Sequence, residues 1–242
     1  MVLKSPLLHA RDVVLDLVYP PEPWDAGAVR WLDAPCCARC GYPFEVESAL
    51  ADATECAVCT ARAPRYGRAR AAFAYDDAVA PDILAFKHGG RSVHLDLFAT
   101  QMMRAGREIL ADAVRGGGVL APVPLHPLRL ARRRFNQAAL LAGRIAGRTG
   151  LGVWTGLERV RPTQSQGRKS AAARRRNVRA AFDVRTGRSV RDRSPVYVVL
   201  IDDVMTTGAT LEACALACRR AGATQVDAIT LARVVREQET RP

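Results

Sequence analysis

The sequence lacks several features that define common protein classes. No apolar run approaches the roughly 20 residues that a membrane-spanning helix needs, and the first residues mix charged and apolar side chains, unlike a signal peptide. We therefore expect a cytoplasmic protein without a membrane span. There is no G-x-x-x-x-G-K-[ST] loop, no G-x-G-x-x-G after a strand and no recognisable Ser-His-Asp set. P-loop nucleotidases, dinucleotide-binding enzymes and serine hydrolases are therefore not indicated.

Acidic residues are few relative to basic ones, with 24 Asp and Glu against 36 Lys and Arg and a formal net charge of +12. Such a balance favours polyanionic partners, namely phosphorylated substrates, nucleic acid or acidic membrane surfaces, without choosing among them. The chain has 242 residues, of which 49% are hydrophobic. It can therefore bury a core and form one large domain or two unequal ones.

The cysteines indicate a metal site, because disulfides are rare in a cytosolic chain. Cys37 and Cys40 form one C-x-x-C pair, and Cys56 and Cys59 form a second pair after fifteen intervening residues. This spacing is typical of four thiolates around one tetrahedral zinc ion. Cys36 could replace Cys37 as the first ligand, although we prefer Cys37. Four protein ligands leave no open position, so the predicted zinc is structural.

The most informative stretch begins with six apolar residues at 196–201, which predict a strand buried on both faces of a parallel sheet. Asp202 and Asp203 follow where the strand is expected to leave the sheet, and a helical pattern starts at Leu211. Between them lies a short loop, whose residues are Thr206, Thr207, Gly208, Ala209 and Thr210.

The chemistry of this loop suits a sugar phosphate. Ligands of open α/β sheets bind at the carboxyl ends of strands. Gly208 lets an anion approach the backbone, and the free N–H groups of a helix start favour phosphate. The two carboxylates suit hydroxyl donors or a metal ion. The alternative is that the aspartates are a solvated strand end and the threonines an ordinary helix cap.

These residues resemble the phosphoribosyl-pyrophosphate (PRPP) signature of type I phosphoribosyltransferases, which has a hydrophobic strand, two acids and a T-T-G-x-T loop. The resemblance implies that Asp202 and Asp203 hold the ribose 2′ and 3′ hydroxyls, and that the 206–210 loop holds the 5′-phosphate. It also implies Mg²⁺ bound together with PRPP.

Two other regions could contact phosphate. Lys87 ends a predicted helix over 80–87 and is either a solvated cap or a phosphate contact. Residues 119–123 predict a second strand, which opens into a loop with Pro124 and Leu125 at the sheet edge of Asp202. Four arginines follow, and they form either a solvated face or a pyrophosphate site; they are Arg129, Arg132, Arg133 and Arg134.

The remaining pattern predicts two longer helices and one basic segment. One helix runs from about Leu95 to Val114, and Asn136 caps another that ends near Gly150. Residues 158–193 are dense in arginine and cannot bury much, so we expect them to be mobile without a polyanion. Phe182 is their single aromatic residue, which weakens the case for a base-stacking platform for single-stranded DNA.

The order of these features resembles the ComF family of competence protein F-like phosphoribosyltransferases over roughly residues 35–236. The specific strings are Pro122-Val123-Pro124-Leu125-His126-Pro127 and Arg132-Arg133-Arg134-Phe135-Asn136-Gln137-Ala138. Arg134 stands where the family usually has glycine. The resemblance implies that the proline loop, with Lys87 and Arg133, binds pyrophosphate. It also implies that the arginine-rich segment, with Gln166 and Arg175, is a mobile hood.

The predicted protein is thus an α/β type I phosphoribosyltransferase with a Rossmann-like parallel sheet, a flexible hood and a small Cys₄ zinc-ribbon-like module. We expect an N-terminal helix and the module in 1–66, the transferase domain in 67–236 and a disordered tail in 237–242. The predicted activity is Mg²⁺-dependent ribosyl transfer from PRPP, with Arg132, Asp202 and Asp203 as catalytic residues and an acceptor that the sequence does not identify. The alternative is a non-enzymatic accessory protein that binds single-stranded DNA in the DNA-uptake machinery and keeps a vestigial or sensory PRPP site. Oligomeric state stays open.

Overall fold

The computed structural model describes residues 29–32, 35–44, 54–89, 92–126, 130, 131, 133, 135–161, 181–185 and 195–235. Its helices are α1 (Ala57–Ala61), α2 (Ala80–Gly89), α3 (Ser92–Ala105), α4 (Arg107–Arg115), α5 (Gln137–Thr149) and α6 (Ala209–Arg220). Its strands are β1 (Ala69–Ala74), β2 (Val119–Pro122), β3 (Gly152–Val153), β4 (Leu157–Arg159), β5 (Phe182–Val184), β6 (Tyr197–Met205) and β7 (Gln225–Arg233).

Five strands form one parallel sheet in the order β1-β7-β6-β2-β3. The central strand β6 carries the apolar run, and Val198, Val199, Leu200 and Ile201 are all fully buried. Parallel sheets are covered on both faces, which explains why this strand shows no alternation with polar residues. The predicted α/β class with a parallel sheet is therefore confirmed.

Helices cover the two faces of the sheet. Val199 and Ile201 point into a core shared with α2, α3, α4 and α5, whereas Val198 and Leu200 point into a core shared with α6. The chain leaves β2 towards β3 through α5, and it leaves β6 towards β7 through α6 on the opposite face. The order of the strands therefore reverses between β2 and β6. In open α/β sheets a crevice forms at the carboxyl ends of the strands at such a point.

Two predicted element boundaries are wrong. The single helix expected over Leu95 to Val114 is two helices, because the chain turns at Gly106, where an added Cβ would lie 2.3 Å from Ile229 Cδ1. The strand expected to end before Asp202 continues to Met205, which is in register with Arg233 of β7. Backbone pairing with β7 continues although polar residues interrupt the apolar run.

The predicted helix after Asn136 is confirmed. The Asn136 side chain accepts a hydrogen bond from the Ala138 N–H, and Gly150 ends α5 in the left-handed conformation. The expected N-terminal helix, most of the arginine-rich segment and the expected tail at 237–242 lie outside the described residues, and the domain boundaries stay predictions. Among the described helices, none combines the length and the apolar character required to cross a bilayer.

Candidate functional site

Asp202 and Asp203 lie near the carboxyl end of β6, beside the crevice between β2 and β6, and both are half-buried. Asp202 Oδ1 accepts a hydrogen bond from the Asp203 N–H at 2.9 Å, and Asp203 Oδ1 accepts one from the Val204 N–H at 2.6 Å. These bonds fix both carboxylates against the backbone. The second oxygen of Asp203 lies 3.3 Å from Lys87 Nζ. The second oxygen of either carboxylate can still accept a hydrogen bond from a ligand, since each carboxylate oxygen accepts more than one.

The surroundings of Asp202 disfavour its ionised form, because burial removes water from it and the carboxylate of Asp203 is close by. Burial raises its pKa well above the ordinary value, and the neighbouring Asp203 carboxylate raises it further. The Asp203 N–H group and the positive charges of Lys87 and Arg159 act in the opposite direction. A cation or hydroxyl donors bound here would therefore stabilise the ionised form of Asp202.

Lys87, at the last turn of α2, reaches this site. Its Nζ lies 3.3 Å from Asp203 Oδ2, and both side chains are mostly buried, with 16% and 17% exposure. Gln137 Nε2 donates to the Lys87 carbonyl oxygen at 2.9 Å, and Arg133 donates to Gln137 Oε1 at 3.4 Å. The predicted residue Lys87 therefore reaches the end of β6, and Gln137 joins the predicted residue Arg133 to the Lys87 backbone.

The loop after β2 lies against the same end of β6. The Val123 N–H donates to the Ile201 carbonyl at 2.9 Å, and Asn136 Nδ2 donates to the Val123 carbonyl at 3.0 Å. Pro124 and Leu125 follow directly and are half-buried. The structure therefore places the predicted proline loop beside the aspartates, as expected from two adjacent parallel strands.

The 206–210 loop joins β6 to α6. Gly208 is the N-cap of α6 with φ of 74°, a left-handed conformation that favours glycine, and no side chain caps the first turn. The Thr207 hydroxyl is buried and has no hydrogen-bond partner among the described residues. A buried polar atom without a partner is costly, and a ligand atom that accepted a hydrogen bond from this hydroxyl would remove that cost. Thr206 is exposed.

Sequence reasoning missed the individual contributions of three residues. Arg159, on β4, lies with its guanidinium 5.2 Å from the centroid of the Phe182 ring, and its charge acts on Asp202. Gln137 bridges Lys87 and Arg133, and Tyr66 packs against Gly208. In the sequence, Arg159 is one of many arginines in the basic segment 158–193. Gln137 is part of the motif that resembles the ComF family. Nothing in the local sequence distinguishes Tyr66.

The four predicted cysteines come together. The Sγ atoms of Cys37, Cys40, Cys56 and Cys59 all lie within 4.8 Å of one another, and the Cys40–Cys56 pair is 3.7 Å apart. Tetrahedral zinc with bonds of about 2.3 Å requires sulfurs roughly 3.8 Å apart. Cys36 is not part of this group, so the geometry favours Cys37 as the first ligand. These residues fit one structural zinc ion.

The electrostatics of the cluster also suit a cation. Burial raises the pKa of Cys40 to about 11, and burial together with Cys40 raises the pKa of Cys59. Burial opposes ionisation of Cys37 as well, but backbone N–H groups lower its pKa, one of them being the Cys56 N–H at 3.3 Å from Cys37 Sγ. Four thiolates this close repel one another, and a divalent cation offsets that repulsion.

Three predicted site residues lie outside the described residues, namely Arg132, Gln166 and Arg175. Two described strands, β4 and β5, overlap the arginine-rich segment 158–193, however, and Phe182 and Val184 are buried. The expectation that this segment buries little is therefore wrong at β5, whose side chains pack against α6. β4 and β5 pair antiparallel, with Arg159 opposite Phe182, and the Val160 N–H donates to the Ala181 carbonyl at 2.9 Å. The segment 162–180 therefore starts and ends at a β-pair whose residue Arg159 acts on Asp202.

Known proteins resemble this chain over most of its length. DNA utilization protein YhgH of Salmonella typhimurium is 30% identical over 209 residues, which cover 82% of this chain and 84% of that protein. YhgH of Escherichia coli K12 is 30% identical over 210 residues, which cover 84% and 86%. Competence protein F of Haemophilus influenzae is 34% identical over 116 residues, 47% of this chain and 49% of that protein. No protein-family model matches the chain.

The names of these relatives agree with the resemblance to the ComF family that the sequence motifs indicated. The chain belongs to the ComF-like family, which includes the YhgH proteins and competence protein F.

Proposed function

We propose that the protein adopts the type I phosphoribosyltransferase fold and binds PRPP with Mg²⁺ at the carboxyl end of β6. One observation carries the proposal. Two half-buried carboxylates precede a left-handed Gly208 and a buried Thr207 hydroxyl that has no hydrogen-bond partner in the described part of the chain, at the point where the strand order reverses. A pentose phosphate offers what this arrangement lacks, namely hydroxyl donors for the aspartates and phosphate oxygens for the loop.

We assign to each side chain of the site the group of PRPP that it contacts. Asp202 and Asp203 accept hydrogen bonds from the ribose 2′ and 3′ hydroxyls. The Thr207 hydroxyl and the backbone N–H groups at the start of α6 donate to the 5′-phosphate. Lys87 contacts Asp203 and is joined to Arg133 through Gln137, and we assign the positive charges of Lys87 and Arg133 to the pyrophosphate. Pro124 and Leu125 form the adjacent wall.

The carboxylates and the substrate's phosphates are oxygen donors of the kind that Mg²⁺ prefers, so this donor set fits the ion. When bound with PRPP, Mg²⁺ supplies charge neutralisation on the pyrophosphate. Lys87 and Arg133 add to that neutralisation, and the two aspartates hold the ribose while positive charge develops at its anomeric carbon. The zinc fitted to the cysteine cluster takes no part in this chemistry, because its four ligands leave no open position.

The proposed reaction is ribosyl transfer. The bond from the anomeric carbon to pyrophosphate breaks, and pyrophosphate leaves with the electron pair. A nucleophilic atom of the acceptor forms the new bond and loses its proton to solvent. No sequence motif marks the pocket for the acceptor. The acceptor is therefore to be identified by screening.

The names of the relatives favour a second candidate function. They are DNA utilization and competence proteins, and the strongly basic residues 158–193 could contact DNA phosphates. In this second reading the protein is an accessory factor in DNA uptake that binds single-stranded DNA, and PRPP is a sensory ligand without turnover. The PRPP site itself is common to both readings.

The test is a pyrophosphate-release assay with PRPP, Mg²⁺ and a panel of nucleobases, amines and small aromatic acceptors. Acceptor-dependent release supports the transferase, and Lys87→Gln serves as the site-directed control. PRPP binding without release for any acceptor, combined with DNA affinity that falls steeply with salt, supports the accessory protein instead. A protein that does not bind PRPP under any condition refutes the proposed site.

A further inference from the structure

Tyr66 packs in one buried cluster with three of the four predicted zinc ligands and with Met205 and Leu211, the two residues that flank the 206–210 loop. Cys40, Cys59, Tyr66 and Met205 all belong to the core on the α6 face of the sheet. Tyr66 is 4% exposed, and its hydroxyl lies so close to Gly208 that a Cβ added there would be 3.1 Å away. The ring edge is also close, since Cε1 would lie 3.8 Å from the same Cβ. The ring and hydroxyl of Tyr66 therefore pack against the turn at the start of α6.

The second cysteine pair is linked to α6. Arg62 follows α1 directly, and its guanidinium lies 2.5 Å from the carboxylate of Glu212 in the first turn of α6. Arg219, in the last turn of α6, donates to the Arg65 carbonyl at 2.7 Å. The segment between Cys59 and Tyr66 is therefore bonded to both the first and the last turn of α6, the helix that follows the loop.

The first cysteine pair is linked to the ends of β1 and β7. The Ala69 N–H donates to the Arg39 carbonyl at 2.6 Å, and the buried Arg233 donates to the Cys40 carbonyl. The Arg233 guanidinium lies 4.9 Å from the centroid of the Tyr42 ring. Next to Arg233, the Val234 N–H donates to the Met205 carbonyl at 2.9 Å. The first cysteine pair is thus bonded to Arg233 of β7, which is in register with Met205, and the segment after the second pair is bonded to α6.

The positive charge of Arg233 complements the negative charge that a metal-bound cysteine cluster would carry. Four thiolates around a divalent cation carry a net charge of −2, and Arg233 brings a positive charge to the Cys40 backbone. The Arg233 Nε is buried without a hydrogen-bond acceptor among the described residues. A buried guanidinium needs a compensating negative charge, and the cysteine thiolates would supply it when they hold a metal ion.

From this geometry we propose that Tyr66 couples the cysteine cluster to the 206–210 loop, so that zinc in the cluster and a 5′-phosphate on the loop strengthen each other's binding. The inference rests on the proposed PRPP site. Tyr66 is a positioning residue, because it acts through Gly208 and does not touch the ligand. Couplings between two sites are reciprocal and are typically about fivefold to a hundredfold in affinity. Zinc thereby sets the loop geometry that the substrate needs, while remaining outside the chemistry.

The experiment uses the full-length, zinc-loaded protein and ribose 5-phosphate, which carries the 5′-phosphate without the pyrophosphate. Zinc transfer to a coloured chelator is timed with and without saturating ribose 5-phosphate. We expect the ligand to slow zinc release at least about fivefold in the wild type. In Tyr66→Leu, which should keep its zinc, the slowing should fall below about twofold even at saturation.

Two further variants separate coupling from a merely structural effect. Tyr66→Phe keeps the supporting ring and should retain most of the slowing. Tyr75→Leu removes a ring that packs against the core on the other face of the sheet, so it should behave as the wild type. Zinc content and circular dichroism confirm folding of each variant at the start.

The outcomes distinguish the inference from the proposed function. Zinc release that ribose 5-phosphate slows equally in the wild type and in Tyr66→Leu overturns the coupling, and so does release that the ligand does not slow in a wild type that binds it. A zinc-loaded wild type that binds neither PRPP nor ribose 5-phosphate refutes the proposed PRPP site instead.

Discussion

The Lys87 ammonium lies 3.3 Å from Asp203 Oδ2, and this ion pair joins the last turn of α2 to the end of β6. The pair is mostly shielded from water, so its charges interact more strongly than those of a surface ion pair. In the proposed complex Lys87 faces the pyrophosphate while Asp203 faces the ribose. The pyrophosphate therefore contacts one member of the ion pair, Lys87, and the ribose contacts the other, Asp203.

The first prediction concerns Lys87→Gln, which removes the charge while keeping much of the side-chain length. A hydrogen bond to a charged group is worth about 1.5–3 kcal/mol, and about 1.4 kcal/mol is a factor of ten in affinity. We expect PRPP to bind about ten- to a hundredfold more weakly by titration calorimetry. Ribose 5-phosphate, which lacks pyrophosphate, should lose less. Equal losses for both ligands would contradict contact between Lys87 and pyrophosphate.

The second prediction concerns pH. Because burial and Asp203 raise the pKa of Asp202, this carboxyl holds its proton to higher pH in the free protein than an ordinary aspartate does. Ribose hydroxyls and Mg²⁺ stabilise the ionised form, so the pKa falls on binding and a proton is released. Affinity should therefore rise as pH increases from the ordinary aspartate range towards the raised pKa.

Calorimetry in buffers of different ionisation enthalpy measures the released protons. The phosphates of PRPP titrate as well, so the signal of Asp202 is the difference between the wild type and Asp202→Asn. We expect the wild type to release more protons than the variant. The same release from both proteins would show that Asp202 does not change its ionisation on binding.

The third prediction is the metal content. Elemental analysis should find one zinc per chain, because Cys37, Cys40, Cys56 and Cys59 form one cluster. Cys37→Ser and Cys56→Ser should lose the zinc, and metal binding contributes to folding, so their unfolding temperatures should fall. Cys36→Ser is the matched control and should keep its zinc. Zinc loss in Cys36→Ser with retention in Cys37→Ser would assign the first ligand to Cys36.

The fourth prediction separates a structural aspartate from the site aspartates. Asp227 is 1% exposed and accepts hydrogen bonds from the Arg68 backbone and guanidinium and from the Tyr197 hydroxyl. Weakening a buried charged pair costs about 2–4 kcal/mol. For a chain of this size that lowers the melting temperature by about 5–15 °C. Asp227→Asn should show this loss in calorimetric scans.

PRPP affinity should nevertheless change less than about twofold in Asp227→Asn at a temperature where the variant is fully folded. Asp227 lies near the start of β7 and interacts with the first residue of β6, at the opposite end of the strands from Asp202. A large affinity loss in a fully folded variant would mean that this network reaches the site.

Much of the site could be predicted because its signals are local. The apolar run before Asp202, the glycine at the left-handed position 208 and the asparagine cap at 136 each fit one backbone requirement. The paired C-x-x-C spacing likewise identified three of the four sulfurs and left only Cys36 or Cys37 open for the first position, where the geometry favours Cys37. Parallel strands then bring Asp202 and Pro124 to one edge without any further information.

What could not be predicted depends on contacts between distant segments. The helix break at Gly106 reflects close approach to Ile229, and the length of β6 reflects pairing with β7. Neither partner is visible in the local pattern. Tyr66 likewise lies beside Gly208 because the cysteine cluster packs against α6, which the local sequence does not show.

Titration of PRPP with Mg²⁺ into the wild type and into the double variant Asp202→Asn/Asp203→Asn tests the central claim most directly. The double variant keeps the shape of the site but removes both negative charges. We expect its affinity to be about tenfold to several-hundredfold lower, from charged hydrogen bonds of about 1.5–3 kcal/mol. Asp77→Asn, at an exposed position after β1, should bind as the wild type does. Affinity that is unchanged in Asp202→Asn/Asp203→Asn would contradict the assignment of the site.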